Sequence, residues 1–294
     1  MIITEYINGN TTCQILEDGT KIREFTGTPR FDFPESIDIK ITNYCDLGCL
    51  YCHESSDLRG KHGNLEKTWH KVKFLPAGVE LAIGGGNPLS HPDLKVFLQK
   101  CKEKGIICNL TVNQGHLLPG MSLLKELIEG DLVKGIGVSI TSRNWNKISE
   151  LRRLTPNVVY HVIAGVNPPE VIDDLISLGP AKVLVLGYKQ WGLGREFWNP
   201  DVEGCLSEWN MRIRGYFGKC VISFDNLAIE QLKIKRHFTE KKWGEIFMGE
   251  DFSHSMYIDA VEGVLAPTSR SPERENWEQG IIEYFQKNST TWKN

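Results

Sequence analysis

No apolar run in these 294 residues approaches the roughly 18 needed for a membrane-spanning helix, so no such span is expected. Neither sign of charge is in excess: 34 Lys and Arg face 37 Asp and Glu, a net charge of -3. That balance gives no basis for bulk nucleic-acid binding, which recruits a basic surface. The N-terminus, Met-Ile-Ile-Thr-Glu, has no basic region followed by an apolar segment, so no secretion signal is expected there. The eight cysteines are too widely and irregularly spaced for a disulfide scaffold. Reduced thiols and a cytoplasmic location are therefore expected. What is present is an ordinary globular composition, 40% apolar and 24% charged.

The chain opens with a polar stretch in which residues 12–16 and 20–23 flank Asp18-Gly19, read as a β-hairpin. From Ile37 the pattern changes. Apolar runs at 37–41, 79–83, 106–112, 135–140, 158–164 and 182–186 read as strands. They alternate with helical stretches near 65–75, 91–104, 121–129, 145–154 and 169–178. Helix 91–104 carries boundary signals: Ser90 as cap, Pro92 in the first turn and Gly105 as its stop. Strand–helix alternation at roughly 25 residues implies parallel pairing with right-handed crossovers. Periodicity alone fits an open sheet or most of a barrel. Beyond 187 the rhythm loosens into a helix at 202–216, a seventh strand at 220–224, a helix at 226–234, a hairpin at 256–266 and a helix at 275–287. The expected organisation is an N-terminal hairpin extension over 1–35, a core over 36–200, and a C-terminal α/β extension over 201–294 that completes or covers the core.

Directly after the first of these strands come Cys45, Cys49 and Cys52, spaced C-x3-C-x2-C. Asp46 and Gly48 favour a tight loop that turns the thiols towards one centre. Structural zinc held by the three cysteines and His53 is disfavoured, because adjacent Cys52 and His53 converge poorly on one tetrahedral ion and no second ligand pair follows at finger spacing. Unligated buried thiols are the other alternative. Three thiolates suit three irons of a [4Fe-4S] cube, whereas ferredoxins supply four. One iron would stay open to a non-protein ligand, and open coordination marks a catalytic site, as it does at zinc.

This spacing, with Tyr51 just before the third cysteine, resembles the signature of the radical S-adenosylmethionine (radical SAM) superfamily. The resemblance covers approximately residues 36–225. It implies a partial (β/α)6 TIM-like barrel of parallel strands, a single [4Fe-4S] cluster on Cys45, Cys49 and Cys52, and S-adenosyl-L-methionine (SAM) on the fourth iron. It further implies reductive cleavage of SAM to a 5'-deoxyadenosyl radical that abstracts hydrogen from substrate, with an external one-electron reductant such as a flavodoxin or ferredoxin. Tyr51 would lie on the adenine side. Gly84, Gly85, Gly86 and Asn87 stand where the family carries a Gly-Gly-Glu-Pro-like motif for the SAM amino group; Asn87 departs from it. Asn113, Ser139, Ile163 and Gly165, at later strand ends, are further SAM-contact candidates. No cysteine group of the SPASM kind follows the core, so one cluster is expected.

Substrate-side candidates are Lys189, Gln190 and Arg195 in the glycine-punctuated loop after the sixth strand, and His161 as a pocket base. A core histidine is an equal reading of His161. Lys189 is taken as catalytic, together with Cys205 and Cys220 as hydrogen-atom donors. The expected substrate is a peptide or protein side chain. A nucleotide or small metabolite, and a non-enzymatic Fe–S electron carrier or sensor, are the alternatives.

Overall fold

A computed structural model describes residues 1–289. Three antiparallel strands open the chain, β1 (Ile2–Asn8), β2 (Thr11–Leu16) and β3 (Lys21–Phe25). The Asp18-Gly19 turn joins β2 to β3, with Gly19 at φ 82° and the Thr20 N–H donating to Asp18 Oδ1 at 2.9 Å. The hairpin thus gains a third strand, because β1 pairs along β2 from Ile2 to Asn8.

Six strands then alternate with five helices: β4 (Ser36–Thr42), α1 (Leu65–Val72), β5 (Glu80–Gly85), α2 (Leu94–Lys104), β6 (Ile107–Asn113), α3 (Leu117–Glu129), β7 (Gly135–Ser139), α4 (Asn146–Leu154), β8 (Val158–Ile163), α5 (Val171–Ser177) and β9 (Lys182–Leu186). Each helix returns the chain to the next parallel strand. At α2 the start differs from expectation. A 3-10 turn over Pro88–Ser90 intervenes, Ser90 Oγ donates back to Asn87 O, and the helix begins at Leu94 behind Asp93. Gly105 ends it in the left-handed conformation, φ 78°, where a side chain would be strained.

The C-terminal region adds α6 (Leu193–Phe197), α7 (Pro200–Arg212), β10 (Val221–Phe224), α8 (Asn226–Gln231), α9 (Glu240–Ile246), β11 (Ser255–Asp259), β12 (Val264–Ala266), β13 (Glu275–Asn276) and α10 (Ile281–Asn288). The large sheet has the order β10-β9-β8-β7-β6-β5-β4-β11-β12-β13. The predicted terminal hairpin is therefore part of the sheet: β11 lies parallel to β4, with Ser255 opposite Ser36, and β12 alone runs against the others, pairing antiparallel with both β11 and β13. No helix among the described residues is long and apolar enough to cross a membrane.

Whether this sheet is flat or curled is decided by its inner face. Asp38 on β4, Ala82 on β5, Asn109 on β6, Gly137 on β7, His161 on β8 and Leu184 on β9 all line one cavity of about 540 Å³. Strands that share an interior curve around it, and the fold is a partial, incompletely closed α/β barrel. Barrel interiors are usually filled by layers of bulky branched side chains. Here Ala82, Gly84, Gly135, Gly137 and Ser139 point inward and leave the centre hollow. Many apolar residues of these strands face the other way: Ile37, Ile41, Leu81, Ile83, Leu110 and Val138 are buried in the layer that also holds Leu98, Leu124 and Leu151 of the helices. Ile3, Ile15, Leu16 and Gly19 of the N-terminal sheet form the floor of the cavity.

Candidate active site at the barrel mouth

The cysteine loop leaves the C-terminal end of β4, and its ends are tied down. The Cys45 N–H donates to Asp57 O at 2.9 Å, and the Cys52 N–H closes a turn on Cys49 O at 3.1 Å. The glycine stretch after β5 clamps it from the side: Gly86 N–H donates to Thr42 O at 2.8 Å and Asn87 N–H to Tyr44 O at 2.6 Å. This contact explains the glycine at 86. A Cβ there would sit 2.2 Å from the Tyr44 carbonyl oxygen, a backbone atom that has no rotamer to adopt. Gly86→Ala is expected to destabilise the fold by about 1–3 kcal/mol and to lower iron incorporation, measured by urea unfolding and iron analysis.

Cys45 and Cys49 have raised pKa values, first through burial and then through the neighbouring thiols, Cys52 for both. Thiols crowded in this way resist ionising together, but bound metal ions displace their protons outright. The three sulfurs are not drawn onto one point. The one close group of potential ligand atoms among the described residues joins Cys45 to Asp46 and His116, all within 4.8 Å. His116, almost fully buried, bonds Asp46 Oδ1 through Nε2 at 2.8 Å and braces the loop against the end of β6. Asn113 Nδ2 donates to Cys49 Sγ at 3.7 Å. Sulfurs that share a neighbourhood without converging on one ion suit a cluster that takes each thiolate on a different iron. Asn43 Oδ1 and Asn87 Oδ1, just beyond β4 and β5 on the two sides of this clamp, are buried without a hydrogen-bond partner among the described residues, which fits a donor arriving with a ligand.

Of the other SAM-contact candidates, Tyr51, Gly84, Gly85, Asn113, Ser139 and Ile163 line the cavity below the loop. The Tyr51 phenol is pushed up to about 12, by burial and then by the charges of Cys49 and Cys52, and its ring stands 5.8 Å from that of Phe197. Gly86 and Asn87 serve the clamp instead. Gly165 is absent from the cavity wall: with φ 95°, it lets α7 approach, and a Cβ would meet Val202 and Leu206 at 3.0 and 3.3 Å.

Lys189 reaches the cavity from the loop after β9, donating to Ser269 Oγ at 3.0 Å and lying 3.4 Å from His53 Nε2. Gln190, Trp191 and Arg195 line an adjoining groove of about 810 Å³, which shares Tyr188 and Lys189 with the cavity. Cys205 and Cys220 lie outside both. Cys205 Sγ donates to Asn167 O at 3.3 Å behind the wall, and Cys220 precedes β10 at the far end of the sheet. Neither thiol lines the cavity or the groove.

The charged interior of β4 escaped the sequence reading. Lys40 Nζ, nearly buried, pairs with Asp259 at 2.5 Å and Glu54 at 3.1 Å. Tyr257 donates its hydroxyl to Glu54 at 3.1 Å, and Arg274 lies 3.4 Å from Asp259. Burial opposes ionisation of Glu54, yet its bonds to His53 and Lys40 bring its pKa down to about 2. Its ordinary value is 4.5, so the unfolded chain binds this proton first as pH falls. The stabilisation is full above 4.5 and lost as pH drops through about 2. It amounts to about 3 kcal/mol. Glu54→Gln is expected to flatten urea stability between these limits. The overlooked signal was alternation within a central parallel strand: such strands read as continuous apolar runs, and Asp38 and Lys40 interrupt one.

Comparisons with known proteins agree with this geometry. The model of the radical SAM superfamily matches residues 39–173. PqqA peptide cyclase of Methylorubrum extorquens is 28% identical over 128 residues, 42% of this chain and 33% of that protein. The chain thus spans about a third of the length of the curated relatives it matches. Two crystal structures of Streptococcus suis SuiB share the fold. SuiB bound to its precursor peptide SuiA superposes with a TM-score of 0.62 at 14% identity, covering 90% of this chain and 66% of SuiB. SuiB bound to S-adenosylmethionine gives 0.61 at 15% identity, covering 90% and 68%. Residues 39–173, which carry the cysteine motif and most of the strand–helix core, thus match the radical SAM superfamily, and the fold around them is the one SuiB has.

Proposed function

We propose that this chain binds one [4Fe-4S] cluster through Cys45, Cys49 and Cys52, binds SAM beside it, and abstracts hydrogen from a peptide side chain held in the hollow barrel. The observation that carries this reading is the position of the three-thiol loop, without a fourth cysteine, over a cavity left open by inward glycine and alanine. When bound, the cluster and SAM supply a 5'-deoxyadenosyl radical on one-electron reduction. The chain's own residues do the rest. Tyr51, Asn113, Ser139 and Ile163 wall the upper cavity, the glycine turn offers backbone groups at close range, and the N-terminal sheet forms the floor. Lys189 stands at the junction of cavity and groove, where it can contact a substrate that occupies both.

A peptide is favoured because the cavity continues into a surface groove, and because the similar proteins include a PqqA peptide cyclase and SuiB bound to its precursor peptide SuiA. The reductant is taken to be a flavodoxin or ferredoxin, and the location cytoplasmic, where the thiols stay reduced. Anaerobic reconstitution is expected to load about four irons per chain and, with reductant and SAM, to yield 5'-deoxyadenosine. A loaded protein that neither binds nor cleaves SAM would point to an electron carrier or sensor instead. Deuterium transfer from a labelled peptide into 5'-deoxyadenosine tests the substrate class.

A further inference from the structure

We propose that Asp38 and His161 form a subsite inside the barrel for a cationic nitrogen of the substrate, an amine or a guanidinium group. This inference rests on the reading that the cavity holds substrate. Asp38 projects from the inner face of β4, and its exposed side chain lines the cavity. Its carboxyl makes no hydrogen bond and no ion pair among the described residues, although every other carboxylate that lines the cavity has a cationic partner. Glu54 has Lys40, Glu80 has Lys21 at 2.5 Å, and Glu17 has the chain's amino terminus at 3.5 Å.

The neighbouring charges do not balance Asp38 either. Lys189 is near enough to favour ionisation of both Asp38 and Asp225, and Arg270, which also acts on Asp225, is bonded to Asp251 at 2.6 Å. Two cations thus face three carboxylates. The strands packed around the cavity raise the Asp38 pKa, and a carboxylate so enclosed without a partner is held less well than a paired one. A ligand that brings its own positive charge supplies that partner.

Space and a second acceptor are both present. Asp38 lies opposite Ala82 on β5, Ala82 opposite Asn109, and Asn109 opposite Gly135, so two of the three positions at this level carry a methyl group or nothing. His161 leans over side-chain-free Gly137, where a Cβ would fall 2.7 Å from its Nε2. Its ring nitrogens have no bonding partner among the described residues, and burial brings its pKa down to about 4. The imidazole is neutral near pH 7 and accepts through one nitrogen. A carboxylate and a neutral imidazole opening on the same cavity match the donors of an ammonium or guanidinium group; a substrate carboxylate would meet repulsion.

Three probes of equal length, n-butylammonium, n-butanol and butyrate, distinguish the charge preference. Each is titrated at pH 7 into the reconstituted, SAM-saturated protein and read by saturation-transfer NMR. Butylammonium is expected to bind at least tenfold more tightly than butanol, with butyrate weakest. Asp38→Asn, which keeps the shape and a hydrogen-bonding group, should lose most of that preference, whereas Asp38→Glu should keep part of it. Butyrate binding as tightly as butylammonium, no butylammonium binding, or an unchanged preference in Asp38→Asn overturns the proposal. Production of 5'-deoxyadenosine by the unsubstituted protein reports on the radical chemistry separately, so failure of one reading is told apart from failure of the other.

Discussion

Replacing Cys45, Cys49 and Cys52 together by alanine is expected to reduce bound iron from about four per chain to background and to lower 5'-deoxyadenosine formation by at least ~1000-fold. The loop itself should survive. Its ends are held by backbone bonds from Cys45 to Asp57 and from Gly86 to Thr42, neither of which needs a thiol. The Asp46–His116 pair remains as well. Circular dichroism and urea unfolding of the iron-free protein should therefore stay close to those of the unsubstituted iron-free chain. A triple variant that still cleaves SAM removes the cluster assignment. A variant that fails to fold instead contradicts the view that backbone bonds hold the loop.

Lys40→Met should produce the largest loss of stability of any single change near the cavity. The side chain is nearly buried, and its ammonium is shared between Asp259, fully buried, and Glu54. Taking it away leaves both carboxylates in a low-dielectric interior. Removing one partner of a buried ion pair costs about 3–5 kcal/mol. Arg274 near Asp259, and Tyr257 and His53 at Glu54, supply partial replacement, which places the expected loss at the lower end. Pairing Lys40→Met with Asp259→Asn should recover part of it, since neutralising the stranded charge removes its desolvation cost. Urea unfolding across this double-mutant cycle measures the coupling. Strict additivity of the two changes would show that Lys40 and Asp259 do not depend on each other.

The cysteine motif, the six strands and their intervening helices were all legible in the sequence, because each is set by near neighbours. Thiol spacing, the period of apolar residues along one strand, and the Gly105 stop are properties of a few consecutive positions. The C-terminal hairpin was legible as a hairpin, but its place beside β4 was not: the Ser36–Ser255 pairing joins residues far apart in the chain. The same limit applied to the site. Asp38, Lys40 and Glu54 look like ordinary surface charges in sequence, and only the closing of the strands around a common interior turns them inward. That Cys205 and Cys220 do not line the cavity was equally invisible in sequence. Short-range spacing alone put three thiols directly behind the first core strand. The tertiary structure decided which side chains face the cavity, because strand curvature and long-range pairing, unlike spacing, depend on the whole chain at once.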